Sequence, residues 1–91
     1  MKKINNLRIY GRKWFQKSCG NTYHSVRVIV NDEELYIGCA YGYGNHYIQT
    51  ALDLLIENGF DVPTEYGKFL TFMSKNNFEY SAVDVDRKKD L

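Results

Sequence analysis

The side chains that could carry out chemistry in this chain are two histidines, two cysteines and a scattered set of acids. A zinc site takes three or four ligands, and neither His24 nor His46 has cysteines or acids beside it at a suitable spacing. General acid-base catalysis needs converging carboxylates, whereas Asp53, Glu57 and Glu79 fall on predicted helix surfaces and turns. We therefore expect no enzymatic activity, no metal and no cofactor.

His24 is the histidine with the more informative position. It continues the alternation of Val26 along a predicted strand, which makes it a strand-end histidine hydrogen-bonded to Tyr41 or to the backbone. The alternative is a histidine that titrates near neutral pH for catalysis. Cys39 is expected to lie in the core opposite Val26, where a thiol is inert, so a cysteine-histidine nucleophile is not expected.

Residues 41–47, Tyr-Gly-Tyr-Gly-Asn-His-Tyr, lead into a predicted helix and form a candidate binding loop. The two glycines let the backbone approach a ligand closely, and the unpaired N–H groups at a helix N-terminus suit an anion. The spacing matches neither the dinucleotide-binding fingerprint nor the phosphate loop. A plain strand-to-helix turn is the alternative.

The strand that must position these residues is residues 22–30, whose valines recur at every second position. A turn centred on Asp32 and Glu33 joins it to a second alternating run, residues 35–41, as a hairpin. The expected pairs are Val30 with Leu35, Val28 with Ile37, Val26 with Cys39 and His24 with Tyr41. All of these side chains then face one side of the sheet, and we call the opposite side the outer face.

A third strand precedes the hairpin. Gly20-Asn21 is a two-residue turn signal that pairs the upstream segment antiparallel with the central strand. In that pairing Trp14 lies opposite Arg27 on the outer face, and Gly11 predicts a bulge in the first strand.

The period becomes helical from residue 45, and Gly59 ends this first helix. A second helix is predicted from Thr64 to Asn76, and residues 78–85 read as a last strand. The prediction is an α+β fold in the order β-β-β-α-α-β, in which an antiparallel sheet of a three-stranded meander plus a C-terminal strand packs with two helices. Residues 1–91 form a single domain, with 86–91 as a frayed tail.

The outer face is the main candidate binding surface, because small residues at its centre are surrounded by rings and by one arginine. Such a surface suits stacking of a base or capture of a partner's side chain. The alternative is that the second helix covers this face and the rings are core. A polar and aromatic rim is expected where the Gly20-Asn21 turn meets the candidate loop. The candidate binding residues of the face and the rim are Trp14, Asn21, Tyr23, His24, Arg27, Tyr36, Tyr41, Tyr43, Asn45, His46, Tyr47 and Gln49.

The composition limits the choice of partner. Twelve basic against eleven acidic residues give a net charge of +1, so no overall field drives binding to nucleic acid or to a membrane. Aromatic residues make up 15% of the chain, more than a core of this size needs. No apolar run is long enough to span a membrane and no signal peptide is visible, so reduced cysteines in a cytoplasm are expected.

Three strings carry a resemblance: residues 14–18, Trp-Phe-Gln-Lys-Ser; residues 20–26, Gly-Asn-Thr-Tyr-His-Ser-Val; and residues 41–51 around Tyr-Gly-Tyr-Gly. Together they resemble a group of small uncharacterised proteins of tailed phages and prophages. The resemblance implies a phage-type accessory protein that binds a host protein, for example a counter-defence inhibitor of the anti-CRISPR kind. A module that binds nucleic acid or a nucleotide on its exposed rings is the alternative, and the outer face would also suit a homodimer.

Overall fold

The computed structural model describes residues 1–91, and its centre is a mixed sheet of four strands in the order β3-β2-β1-β4. The elements along the chain are β1 (Leu7–Gln16), β2 (Asn21–Val30), β3 (Glu33–Tyr41), α1 (His46–Glu57), α2 (Tyr66–Lys75), β4 (Glu79–Val85) and a short 3₁₀ turn (Lys88–Asp90). The predicted α+β class and element order are confirmed.

The fourth strand joins the sheet in an unexpected direction. Strands β1, β2 and β3 form the predicted antiparallel meander, but β4 pairs parallel with β1, so the sheet is mixed rather than antiparallel. A short hairpin turn forces neighbouring strands to run antiparallel, whereas a long crossover does not. The two helices form such a crossover and carry the chain from the β3 edge to the β1 edge.

The core lies between one face of the sheet and the two helices. Leu7, Ile9, Val26, Val28 and Val30 are fully buried in the sheet. The helices supply the opposite wall, with Ile48, Ala51, Leu52, Leu55, Phe69 and Met73 at its centre. Both helices therefore pack on the valine side.

The β2–β3 hairpin has a tighter turn than predicted. Val28 pairs with Leu35 and Val26 with Ile37, two residues away from the expected register. Asn31 allows this because it adopts a left-handed conformation, φ 53°, which asparagine tolerates better than most residues. Since the shift is an even number of residues, the valines and their partners stay on the predicted face.

A bulge near the end of β3 corrects two further predictions. Gly38 and Cys39 together lie opposite Ser25, and Cys39 takes the left-handed conformation with φ 53°. Beyond the bulge His24 pairs with Ala40 rather than with Tyr41. Cys39 is exposed instead of buried in the core, and Tyr41 moves to the outer face.

Gly11 does not produce the bulge that was predicted in β1. This strand pairs with β2 without interruption from Leu7 to Gln16. The glycine instead makes room for Tyr47, since a Cβ at Gly11 would lie 2.7 Å from ring atoms of that side chain. The first residues of α1 can therefore pack directly on the sheet.

The two helices end in the same way. Gly59 has φ 80° and Asn77 has φ 56°, and each is followed by a phenylalanine whose N–H returns to the last turn. Phe60 donates to Leu55 and Phe78 to Met73, at 3.1 and 2.9 Å. Both predicted helix ends are confirmed, and α2 begins at Tyr66, two residues after the predicted cap Thr64.

We expect Gly11→Ala to destabilise the fold because its methyl group would overlap the Tyr47 ring. The free energy of unfolding should fall by about 1–3 kcal/mol, as overpacking does elsewhere. Gly67→Ala is the matched control, since nothing lies within 4 Å of a Cβ built there in α2. It should raise the stability by about 0.5–1 kcal/mol. Urea unfolding of both variants measures the difference, and a shift in the same direction for both would contradict this account.

Candidate binding surface

The outer face of the sheet carries no helix. Helix α2 packs against α1 through the core residues Phe69 and Met73, so it does not cover the outer face. The rings of Tyr36 and Tyr41 are accordingly 53% and 63% exposed. The alternative in which these rings belong to a second core is therefore excluded.

The outer-face side chains form three rows across the strands. The first row is Ser81, Tyr10, Arg27 and Tyr36, the second is Val83, Arg12, Ser25 and Gly38, and the third is Val85, Trp14, Tyr23 and Tyr41. The pairing predicted for Trp14 was wrong in detail, because Trp14 lies opposite Tyr23 and not opposite Arg27. Trp14 and Arg27 nevertheless lie on the same face, as expected.

The third row is a continuous aromatic strip. Trp14 and Tyr23 stack with their ring centroids 5.9 Å apart and an interplanar angle of 28°. Tyr41 meets Tyr23 edge-on at 5.7 Å, a contact that exists only because the β3 bulge turns Tyr41 outward. The rings hold one another in place, so little side-chain freedom remains to be lost when a partner binds.

A groove runs beside this strip over the first and second rows. Its volume is about 490 Å³, and it is lined by Tyr10, Gly11, Arg12, Ser25, Arg27, Tyr36, Ser81, Val83 and Leu91. The groove exists because small residues stand between large ones. Ser25 is only 2% exposed and lies with Gly38 in the second row, between the tyrosines of the first and third rows.

The charges of the groove are unbalanced. Arg12 and Arg27 line it and no acidic residue does. The Nε atom of Arg27 lies 3.7 Å from Glu34 Oε1, a contact between two half-exposed side chains that is worth little. Nη1 of Arg12 donates to the backbone oxygen of Asp90 at 3.0 Å, so Arg12 has no acidic side chain as its partner.

The last residues of the chain contribute to this groove. Residues 86–91 were predicted to fray, but Lys88–Asp90 forms a 3₁₀ turn and Leu91 lines the groove. Their position follows from the parallel pairing of β4 with β1. The chain leaves the end of β4 beside Trp14 and continues over the outer face.

Several groove residues are absent from the sequence prediction. Tyr10, Arg12, Ser81 and Val83 line the groove but were not among the candidates. The period-two spacing of Tyr10 and Arg12 with Trp14 could have placed the first two on the outer face. Ser81 and Val83 depend on the parallel pairing of β4, for which the sequence carries no local signal.

His24 lies on the valine side and is buried. Its Nδ1 is 3.2 Å from the backbone oxygen of Gly42, and its Nε2 is 2.7 Å from the hydroxyl of Thr50. A carbonyl oxygen only accepts, so Nδ1 carries the proton and, in the neutral ring, Nε2 accepts from Thr50. His24 thus ties the glycine loop to α1.

The predicted rim is divided between the two sides of the sheet. Tyr23 faces outward while His24 faces the helices, so these neighbours do not converge. Tyr47 is a core residue, only 4% exposed. The remaining candidates are Asn21, which is partly buried at the hairpin end, Tyr43, Asn45 and His46, which are exposed around the start of α1, and Gln49, which donates to Asp53.

No three His, Cys, Asp or Glu side chains lie together in an arrangement that could hold a metal ion. Neither helix is long and apolar enough to pass through a membrane. Comparison of the chain with protein-family models, curated proteins and solved structures finds no significant match. The fold and surface together define a small α+β protein with one helix-covered sheet face and one open aromatic face.

Burial makes the stability of the chain depend on pH. It lowers the pKa of His24 below 6.5; the bond to Gly42 opposes this and the nearby His46 adds to it. The unfolded chain then binds the proton more readily than the folded chain. The free energy of unfolding therefore has its full value above about pH 6.5. At lower pH it decreases, by at most about 1.4 kcal/mol per pH unit.

Urea midpoints between pH 5 and 7.5 measure this effect. His24→Gln should be less stable than the native chain at pH 7.5, because it loses buried hydrogen bonds, but its midpoint should vary less with pH. His46→Gln is the control and should keep most of the fall in acid, since burial and not His46 is the largest cause of the lowered pKa of His24. An unchanged fall in His24→Gln would contradict the assignment to His24.

Proposed function

We propose that this chain is a non-catalytic binding protein that contacts another protein through the outer face of its sheet. The single observation that carries the proposal is that both helices pack on the valine side, which leaves Tyr36 and Tyr41 exposed and Trp14 partly exposed. Tyrosine, tryptophan and arginine are enriched at the energetic centres of protein interfaces, and all three occur together on this face.

The charge of the outer face favours a protein partner over a nucleic acid. Arg8, Arg12 and Arg27 are offset there by Glu34 and Glu79, and the whole chain has a net charge of only +1. Single-stranded nucleic acids are bound along positively charged tracks that neutralise several phosphates. Three arginines, of which Arg8 and Arg27 lie beside an acidic residue, provide a weak track, whereas aromatic contacts with a protein need no excess of positive charge.

The resemblance to small tailed-phage proteins supports a biological setting for the proposal. In that setting the chain acts in the cytoplasm of a bacterial host and occupies a surface of a host protein. A counter-defence inhibitor of the anti-CRISPR kind acts in this way, without catalytic groups of its own. The preformed aromatic strip of Trp14, Tyr23 and Tyr41 suits such blocking, because it is ordered before binding.

The proposal predicts that Tyr36→Ala abolishes capture of a stoichiometric partner from a host lysate. Truncation of a central interface ring typically costs about 2 kcal/mol or more, so affinity for the purified partner should fall about thirtyfold by calorimetry. Phe15→Ala is the matched control. Phe15 is 54% exposed against 53% for Tyr36, but it lies on the helix side of the sheet.

The control decides which face is used. Capture that survives Phe15→Ala and is lost with Tyr36→Ala supports the outer face as the surface that contacts the partner. The reverse pattern would place the contact on the helix side, where Phe15 and Tyr43 border a second, smaller groove. Sedimentation of the free chain tests self-association, since a homodimer through the outer face would dissociate on Tyr36→Ala.

Nucleic-acid binding is the second candidate, favoured by the stacked pair of Trp14 and Tyr23 beside Arg12. Trp14 is the one tryptophan of the chain, so its fluorescence reports directly on this face. The leading proposal expects no quenching by single-stranded oligonucleotides at physiological salt. Quenching that weakens steeply as salt rises would instead establish the nucleic-acid function.

A further inference from the structure

The groove over the first and second outer-face rows has the composition of a site for a single anionic group. Two arginines line it, two serines contribute hydroxyls, and no acidic side chain is present. The arginines are also close together. Arg12 pairs with Ser25, and Arg27 lies two residues further along the same strand, so the two are diagonal neighbours on one face. Such neighbours lie about 7–8 Å apart, within reach of one carboxylate for two long side chains.

The chain itself shows one kind of group to which Arg12 donates. Its guanidinium donates to the backbone oxygen of Asp90, and the side chain of the next residue, Leu91, lies against the groove. An acceptor oxygen with an apolar neighbour therefore already occupies one end. A guanidinium has five N–H donors, so this single bond leaves donors on Arg12 for a second acceptor. The apolar side chain of Val83 continues the same wall.

We propose that this groove binds a carboxylate side chain of a partner protein, Asp or Glu, from a segment in which an apolar residue follows the acid. The inference rests on the proposed function and names the chemistry of the partner at one point of the outer face. A carboxylate takes two parallel hydrogen bonds from a guanidinium, and the groove combines that donor geometry with apolar walls. A nucleic-acid phosphate backbone would place no apolar group against the side chains of Val83 and Leu91.

The test is a titration of the isotope-labelled chain, followed by amide signals in NMR spectra. The probe is the blocked peptide Gly-Ser-Asp-Leu-Gly-Ser, and its twin with Asn in place of Asp has the same shape without the charge. Inorganic phosphate is the third probe. The Asp peptide should shift the amide signals of Arg12, Ser25, Arg27 and Val83, and Arg12→Gln should weaken this binding about tenfold.

Arg8→Gln is the control for loss of positive charge alone. Arg8 lies on the same strand and the same face but pairs with Glu79 and does not line the groove. Its substitution should leave the peptide affinity nearly unchanged. Thermal melts of both variants confirm that each is folded.

Four results would overturn the inference: equal binding of the Asn twin, equal weakening by the two arginine variants, tighter binding of phosphate than of the peptide, or no shift at millimolar peptide. None of them removes the proposed function, which is tested separately by capture. If Tyr36→Ala abolishes partner capture and Arg12→Gln leaves it intact, the outer face is the contact surface and the carboxylate site is wrong. If both variants retain capture, the proposed function itself fails.

Discussion

Strand β2 sorts its side chains to two sides, and the rest of the molecule depends on that sorting. Val26, Val28 and Val30 are turned to the helices and fully buried, while Tyr23 and Arg27 are turned away. Both helices pack on the apolar side because burial of apolar surface is the main favourable term in folding. The chain has two helices and one apolar sheet face, so the outer face remains open.

Two local departures from regular strand geometry then determine what each face presents. The bulge at Gly38 and Cys39 adds one residue to β3 and reverses the direction of every side chain after it. Tyr41 consequently completes the aromatic strip with Tyr23. On the other side, Gly11 lets Tyr47 lie against β1, which brings the start of α1 close enough for Thr50 to reach His24.

The glycine loop and the outer face therefore have different roles. The ring of His24 holds the loop in place through hydrogen bonds with the Gly42 backbone oxygen and the Thr50 hydroxyl. The buried side chain of Tyr47 fixes the start of the helix that follows. The sequence predicted a binding site in this loop because tyrosines and glycines precede a helix. Several of these residues instead hold α1 against the sheet. The groove beside the aromatic strip has the opposite character, since Arg12 and Arg27 line it and no acidic side chain does.

Local sequence determined the elements, and tertiary structure determined their neighbours. Alternation in residues 22–30, the helical period after residue 45 and the stop at Gly59 fix strands and helices through interactions between residues close in the chain. The same alternation placed Trp14 and Arg27 on one face, because a pleated strand sends successive side chains to opposite sides. The parallel entry of β4, the bulge at Cys39 and the groove formed with Leu91 depend on contacts between distant segments. No local pattern encodes those contacts, because the free energy that selects them comes from packing the whole sheet against both helices.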